Sequence, residues 1–186
     1  MMMPMDYNST QVNLPGAFAS ELRDLESRIS PADIHPTEKN DISHITILYG
    51  LHSTDPGPVS ELLEGIGLVR ASIIGMDVFK PEGKDYEVVV MPVDSPDLCA
   101  LHEGLAVLPH TNTYPVYRPH CTVAYVLPGT GDKYKTLISG LEGRVLTFDT
   151  VVFSAVGGKK SYIPLTKLLD LNHIYKTLEK AVKNKR

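Results

Sequence analysis

The chain has no tryptophan and only two cysteines, Cys99 and Cys121, in 186 residues. Two thiols are too few for a disulfide scaffold, and without indole any stacking surface must come from Tyr, Phe, His or Arg. No apolar run approaches the ~20 residues of a membrane span, so no membrane partner is expected. Low-complexity tracts and linkers long enough to separate domains are also missing. The first residues, Met-Met-Met-Pro-Met-Asp, have neither a basic n-region nor an apolar h-region, so no secretory signal is expected and the expected compartment is the cytoplasm. Positive charge is in deficit, with 18 Lys and Arg against 22 Asp and Glu, a net charge of −4. A broad grip on duplex nucleic acid scales with the phosphates neutralised, so that class of partner is disfavoured; a local pocket for a small phosphate is not. A zinc site reads poorly, since neither His-Glu-x-x-His nor Cys-x-x-Cys occurs. Gly157-Gly158-Lys159-Lys160 lacks the Gly-Lys-Ser/Thr order of a phosphate loop and reads as a hairpin turn.

What is present is a repeat. His44-Ile-Thr-Ile-Leu-Tyr-Gly-Leu reads beside His120-Cys-Thr-Val-Ala-Tyr-Val-Leu, with His, Thr, Tyr and Leu in step. Further on, Val78-Phe79 and Tyr86 are echoed by Val152-Phe153 and Tyr162. The histidines stand 76 residues apart (44 to 120) and the Val-Phe pairs 74 (78 to 152). A duplicated βαββ-like unit, about 42–93 and 118–165, is the economical explanation. Packed as two related lobes, the copies bring their histidines face to face across a central cleft.

Hydrophobic spacing supports an α+β chain forming one domain over 1–186. Leu14, Phe18, Leu22, Leu25 and Ile29 predict an amphipathic helix over 13–29, an extension before the first motif. Strands are expected at 42–49, 71–79, 86–93, 120–127, 145–155 and 161–165, with short helices at 59–66 and 133–141. Ser95 caps a helix that Pro96 opens and that runs to about Leu105 or Val107. A last helix is expected over about 166–183.

In a strand, residues i and i+2 share a face. His44, Thr46 and Leu48 therefore face one way, and Ile45, Ile47 and Tyr49 the other; His120, Thr122 and Ala124 likewise oppose Cys121, Val123 and Tyr125. If the apolar sets pack under helices, each His-Thr pair looks into the cleft. An imidazole titrating near ~6.5 serves as base when neutral and acid when protonated. Phosphodiester transesterification needs one of each, and neutral hydroxyls donate to the non-bridging oxygens. Such a mechanism calls for no metal and no cofactor. A single His-x-Thr is close to uninformative; two copies at strand starts inside a repeat are not. His35, His52, His102, His110 and His173 are assigned surface or structural roles, and Cys121, opposite His120, a packing role.

The paired His-x-Thr strands within a duplicated unit resemble the 2H phosphoesterase superfamily over about residues 40–165. That resemblance implies a bilobal fold, with two antiparallel sheets facing a central cleft and helices outside. It also implies catalysis by His44 and His120, with Thr46 and Thr122 holding the phosphate. Within the superfamily the chain looks most like the phage anti-CBASS nucleases, which implies cleavage of small cyclic oligonucleotide second messengers. A 2′,3′-cyclic phosphodiesterase acting on RNA ends and a nucleotide-sequestering protein are the alternatives. Arg118 shares parity with His120 and is a candidate for a substrate phosphate; Tyr117, Tyr7 and Tyr114 are candidates for base stacking.

Overall fold

A computed structural model describes residues 7–38, 44–112, 114, 116–137 and 140–165. In chain order the elements are β1 (Asn8–Asn13), α1 (Gly16–Glu26), β2 (His44–Leu51), α2 (Gly57–Leu62), β3 (Val69–Ile73), β4 (Asp77–Phe79), β5 (Glu87–Asp94), α3 (Pro96–Leu105), β6 (His120–Val126), a 3-10 helix (Gly131–Thr136), β7 (Val145–Phe148), β8 (Thr150–Ser154) and β9 (Lys160–Pro164). The helix after β1 forms because Phe18, Leu22 and Leu25 fall on one face, and that face is buried. It starts later than the spacing predicts: Asn8–Asn13 is taken into the sheet as a strand, and Pro15 stands at the N-cap. Ser95 caps its helix as expected, its hydroxyl accepting from the Leu98 N–H at 3.0 Å with Pro96 at the first position. The helix expected over 166–183 lies outside the described residues.

Every ladder is antiparallel. The strands form one sheet in the order β7-β3-β5-β6-β2-β1-β8-β9, with β4 paired to β5. β7 and β8 lie on opposite flanks although only Asp149 separates them. One continuous strand over 145–155, as the apolar run suggests, therefore does not exist; the chain turns at Asp149 and the sheet curls so that its flanks approach. The expected pair of sheets facing across a cleft is corrected in the same way. The motif strands β2 and β6 are neighbours at the centre of a single sheet, bridged at Ile45–Cys121.

The two halves also exchange strands. β7 from the second half pairs with β3 from the first, and β1 sits between β2 and β8. The Val-Phe echo falls on β4 and β8, whose surroundings differ: β4 lies beside β5 alone, whereas β8 lies between β1 and β9. One face of the sheet holds the core. Ile45, Ile47, Cys121 and Val123 are fully buried, with α1 against β6 and α3 against β2 and β3. The opposite, concave face carries the motif side chains.

Candidate active site

The bridge between Ile45 and Cys121 sets the register of the two motifs. One residue either way, His44 stands opposite Thr122 and Thr46 opposite His120. Directly opposed residues share a face, so all four side chains project from the same side of the sheet, and all four are half-buried. The arrangement is crossed: the histidines occupy one diagonal of a rectangle and the threonines the other. With cross-strand Cα spacings of about 5 Å and two-residue rises of about 6.7 Å, the diagonal is about 8 Å between Cα atoms. Imidazoles at such corners flank a phosphate-sized space, with a hydroxyl at each remaining corner.

His120 opens β6. Its Nδ1 lies 2.6 Å from the Arg118 carbonyl, and because a carbonyl only accepts, Nδ1 carries the proton and Nε2 is left for chemistry. The Phe79 ring meets the imidazole edge-on at 4.8 Å. Burial pushes its pKa below the ordinary imidazole value, and the bond to the Arg118 carbonyl only partly offsets this. His120 is thus biased towards the neutral form that a general base requires.

Strict alternation along each motif strand fails at one matching place. Gln11 pairs with Thr46 but Thr10 with Leu48, and Val90 pairs with Thr122 but Val89 with Ala124. Each motif strand therefore carries an extra residue at that place, Ile47 in β2 and Val123 in β6, which is a β-bulge, and β2 carries a second at Gly50, between the Tyr49–Ser9 and Leu51–Asn8 pairs. Beyond the matching bulge the faces exchange. Tyr49 pairs with Ser9 and Tyr125 with Val88; these partners stand two residues from Gln11 and Val90 on strands that have no bulge. Tyr49 and Tyr125 consequently lie on the face of the histidines, opposite to the side that period-2 counting assigns them. Because the strands run antiparallel, Tyr49 flanks the four-residue cluster beyond His120 and Tyr125 flanks it beyond His44. The only sequence signal for this is the tyrosine kept in step in both copies.

Each of these tyrosines has an aromatic partner. The Tyr7 ring stands perpendicular to Tyr49 at 5.7 Å, and Tyr86 perpendicular to Tyr125 at 5.2 Å. The structure thus brings Tyr7 to the site. Tyr117 has a different setting from the open stacking position expected. It lies parallel to His102 of α3, ring centroids 4.1 Å apart, and its hydroxyl donates to the Thr46 carbonyl at 2.9 Å. His102 Nδ1, 2.7 Å from the Ile47 carbonyl, donates to it. The pair holds the backbone of the β2 bulge, and burial raises the Tyr117 phenol. Arg118 is exposed and precedes β6, with Pro119 between, so strand parity does not extend to it. Its positive charge adds to the Val78 N–H and Lys135 in keeping Asp77 ionised. Tyr114 is exposed. Cys121 is fully buried behind the site, and burial pushes its thiol up to about 12, an inert packing residue as expected.

No family model and no curated protein matches the chain by sequence. Solved structures do match it in fold. Usb1 of Kluyveromyces marxianus is 9% identical with a TM-score of 0.58, covering 86% of this chain and 98% of that one. TT0787 of Thermus thermophilus is 17% identical with a TM-score of 0.52, over 86% and 95%. Apo LigT of E. coli is 14% identical with a TM-score of 0.51, over 87% and 95%. LigT has also been solved in complex with 3′-AMP, a structure 17% identical to this chain with a TM-score of 0.50. The curled antiparallel sheet is the fold that these proteins share with this chain.

Proposed function

We propose that the protein is a metal-independent phosphodiesterase in which His44 and His120 exchange protons with a phosphodiester held by Thr46 and Thr122. The observation that carries this reading is the crossed rectangle, because in-line displacement needs its base and its acid on opposite sides of phosphorus. His120, biased towards neutrality, accepts the proton of the attacking hydroxyl through Nε2. The new O–P bond forms as the bond to the leaving oxygen breaks, and His44 gives that oxygen its proton. With a 2′-hydroxyl as the neighbouring nucleophile, the first product carries a cyclic phosphate. The threonine hydroxyls donate to the non-bridging oxygens as charge shifts onto them. The fold shared with LigT, which has been solved with 3′-AMP, fits a small nucleotide ligand.

The substrate in this reading is a small cyclic oligonucleotide of the kind used in bacterial antiphage signalling, met in the cytoplasm. Support comes from the tyrosines, one beyond each histidine. A phosphodiester with a nucleoside on both sides uses both aromatic ends, whereas a 2′,3′-cyclic RNA terminus uses one. Sequestration without cleavage would leave the paired acid and base with no task.

The test is turnover of cyclic di- and trinucleotides and of 2′,3′-cyclic mononucleotides in the presence of EDTA. Cleavage of the cyclic oligonucleotides is expected to persist, and His44→Ala or His120→Ala to lower it about 10²–10⁴-fold. The double variant should lose far less than the product of the two single losses. Full turnover by His120→Ala, or strict dependence on an added divalent ion, would refute the mechanism.

A further inference from the structure

Asp77-Val78-Phe79-Lys80 sets a charge on either side of two apolar residues, and Pro81 follows. β4, the short strand formed here, pairs with β5 alone, so the sheet supports it on one side only. Its other support is the 3-10 helix, which packs against β4 and β5. Lys80 Nζ reaches Asp132 at 2.6 Å and Glu87 at 3.5 Å, while Lys135 Nζ reaches Asp77 at 3.3 Å and Asp132 at 3.2 Å. Asp132 is thus shared by two lysines. The helix comes close because its first residue has no side chain: a Cβ on Gly131 would lie 2.7 Å from Val78 Cγ1. The Gly131 N–H donates to the buried Glu87 carboxylate at 2.9 Å. Exposed ion pairs taken singly contribute little, but these form one network around a buried anchor and grip β4 at both ends.

Between those ends sits Phe79. It pairs with Val88, and Val88 with Tyr125, so its side chain lies on the face of the histidines, where it meets the His120 imidazole edge-on. Asp77 falls on the same face, with Val90 between it and Thr122. Val90 is fully buried, so water does not reach this flank of the active face. An edge-on ring orients its aromatic neighbour, and it takes the place of water that would hydrate the charged imidazole. The Arg118 carbonyl fixes one nitrogen of His120; Phe79 fixes the plane of the ring. The charged and titratable groups around His120 are Arg118 on its own segment, Asp77 and Lys80 on the β4 side with Asp132 and Lys135 behind them, and His44 and Tyr49 on β2.

We propose that β4 and the 3-10 helix form a clip that holds Phe79 against His120, which makes Phe79 a positioning residue that orients the imidazole and excludes water from it. Only the consequence for turnover rests on the two-histidine reading; the state of the ring can be read without it. Loosening the clip has a signed effect. As Phe79 withdraws, water hydrates the protonated ring and the His120 titration midpoint rises towards about 6.5. Charge alone acts the other way at Asp132, because deleting a nearby carboxylate disfavours protonated imidazole and lowers the midpoint.

The test is an NMR titration of the His120 ring nitrogens in the isotope-labelled full chain and in three variants, with kcat/KM for a cyclic dinucleotide followed against pH in parallel. Phe79→Ala is expected to raise the midpoint to about 6.5, to let both ring nitrogens share the proton, and to lower turnover about tenfold through lost orientation. Phe79→Tyr keeps a ring in contact and is expected to titrate as wild type does. Asp132→Asn changes a side chain that is more than half exposed, so it carries the test even where Phe79→Ala fails to fold; its midpoint is expected to rise, by less than in Phe79→Ala. An unchanged midpoint in folded Phe79→Ala overturns the proposal. So does an unchanged or lower midpoint in Asp132→Asn, because the ion pairs would then act on His120 by charge or not at all. A ring that titrates as expected in a chain that cleaves no phosphodiester would retain the clip and reject the proposed catalysis.

Discussion

Removing one oxygen atom tests how the site is held. Tyr117→Phe keeps the ring stacked on His102 and deletes only the hydroxyl that donates to the Thr46 carbonyl at 2.9 Å. A neutral hydrogen bond contributes about 1 kcal/mol net, and an acceptor left without a partner where water is scarce costs about 1–3 kcal/mol. The stability loss should stay near the lower end, because the His102 bond to Ile47, 2.7 Å long, still holds the bulge. Turnover should suffer more than that loss implies. The Thr46 side chain sits directly opposite His120, and a displacement of about 1 Å at a positioning group costs on the order of 10²-fold; a partial shift with the His102 bond intact should give about tenfold in kcat. Substrate KM should change little, since the stacking tyrosines are untouched. Urea denaturation alongside steady-state kinetics on a cyclic dinucleotide separates the two effects. A variant that loses stability but keeps kcat would show that the clamp serves the fold alone. Restoration of kcat by Tyr117→His, which would need a ring nitrogen to replace the hydroxyl, is not expected.

Two further predictions follow from single features. In the proposed mechanism neutral His120 is the base and protonated His44 the acid, so kcat/KM should be bell-shaped: it falls on the acid side as pH drops through the depressed His120 pKa, setting that limb below the ordinary imidazole value of about 6.5, and on the basic side as His44 loses its proton. The same shift makes the unfolded chain take up the proton first, so stability should decline as pH falls from about 6.5 towards the folded-state pKa and level off below it. Thermal melting of wild type against His120→Gln checks this, and an acid limb above 6.5 would refute the assignment. Gly50 adopts φ +101°, and a Cβ there would lie 2.2 Å from the Thr111 carbonyl oxygen. Gly50→Ala should therefore cost at least about 2–3 kcal/mol, loosening the segment tied to β2 by the Thr111 N–H bond to the Gly50 carbonyl. An unchanged denaturation midpoint would refute that reading.

Much of this protein was determined by local pattern. Apolar residues at three- and four-residue spacing set the buried face of α1, and Ser95-Pro96 set the start of α3. The His-x-Thr tripeptides do open two strands, and i, i+2 alternation puts each His beside its Thr on one face, because both effects act within a few residues. Where the motif strands lie was not legible. β6 reaches β2 only through pairing across 76 residues (44 to 120), and nothing local tells a single curled sheet from two facing ones. The bulges at Ile47 and Val123 escape period-2 counting because the partner strand, not the bulged one, decides where a residue is left over. Tyr49 and Tyr125 reach the face of the histidines for that reason alone. Tyr117 looks like a free ring in the sequence, which does not show that α3 brings His102 against it. Local chemistry chose which groups could react; non-local pairing decided which of them meet.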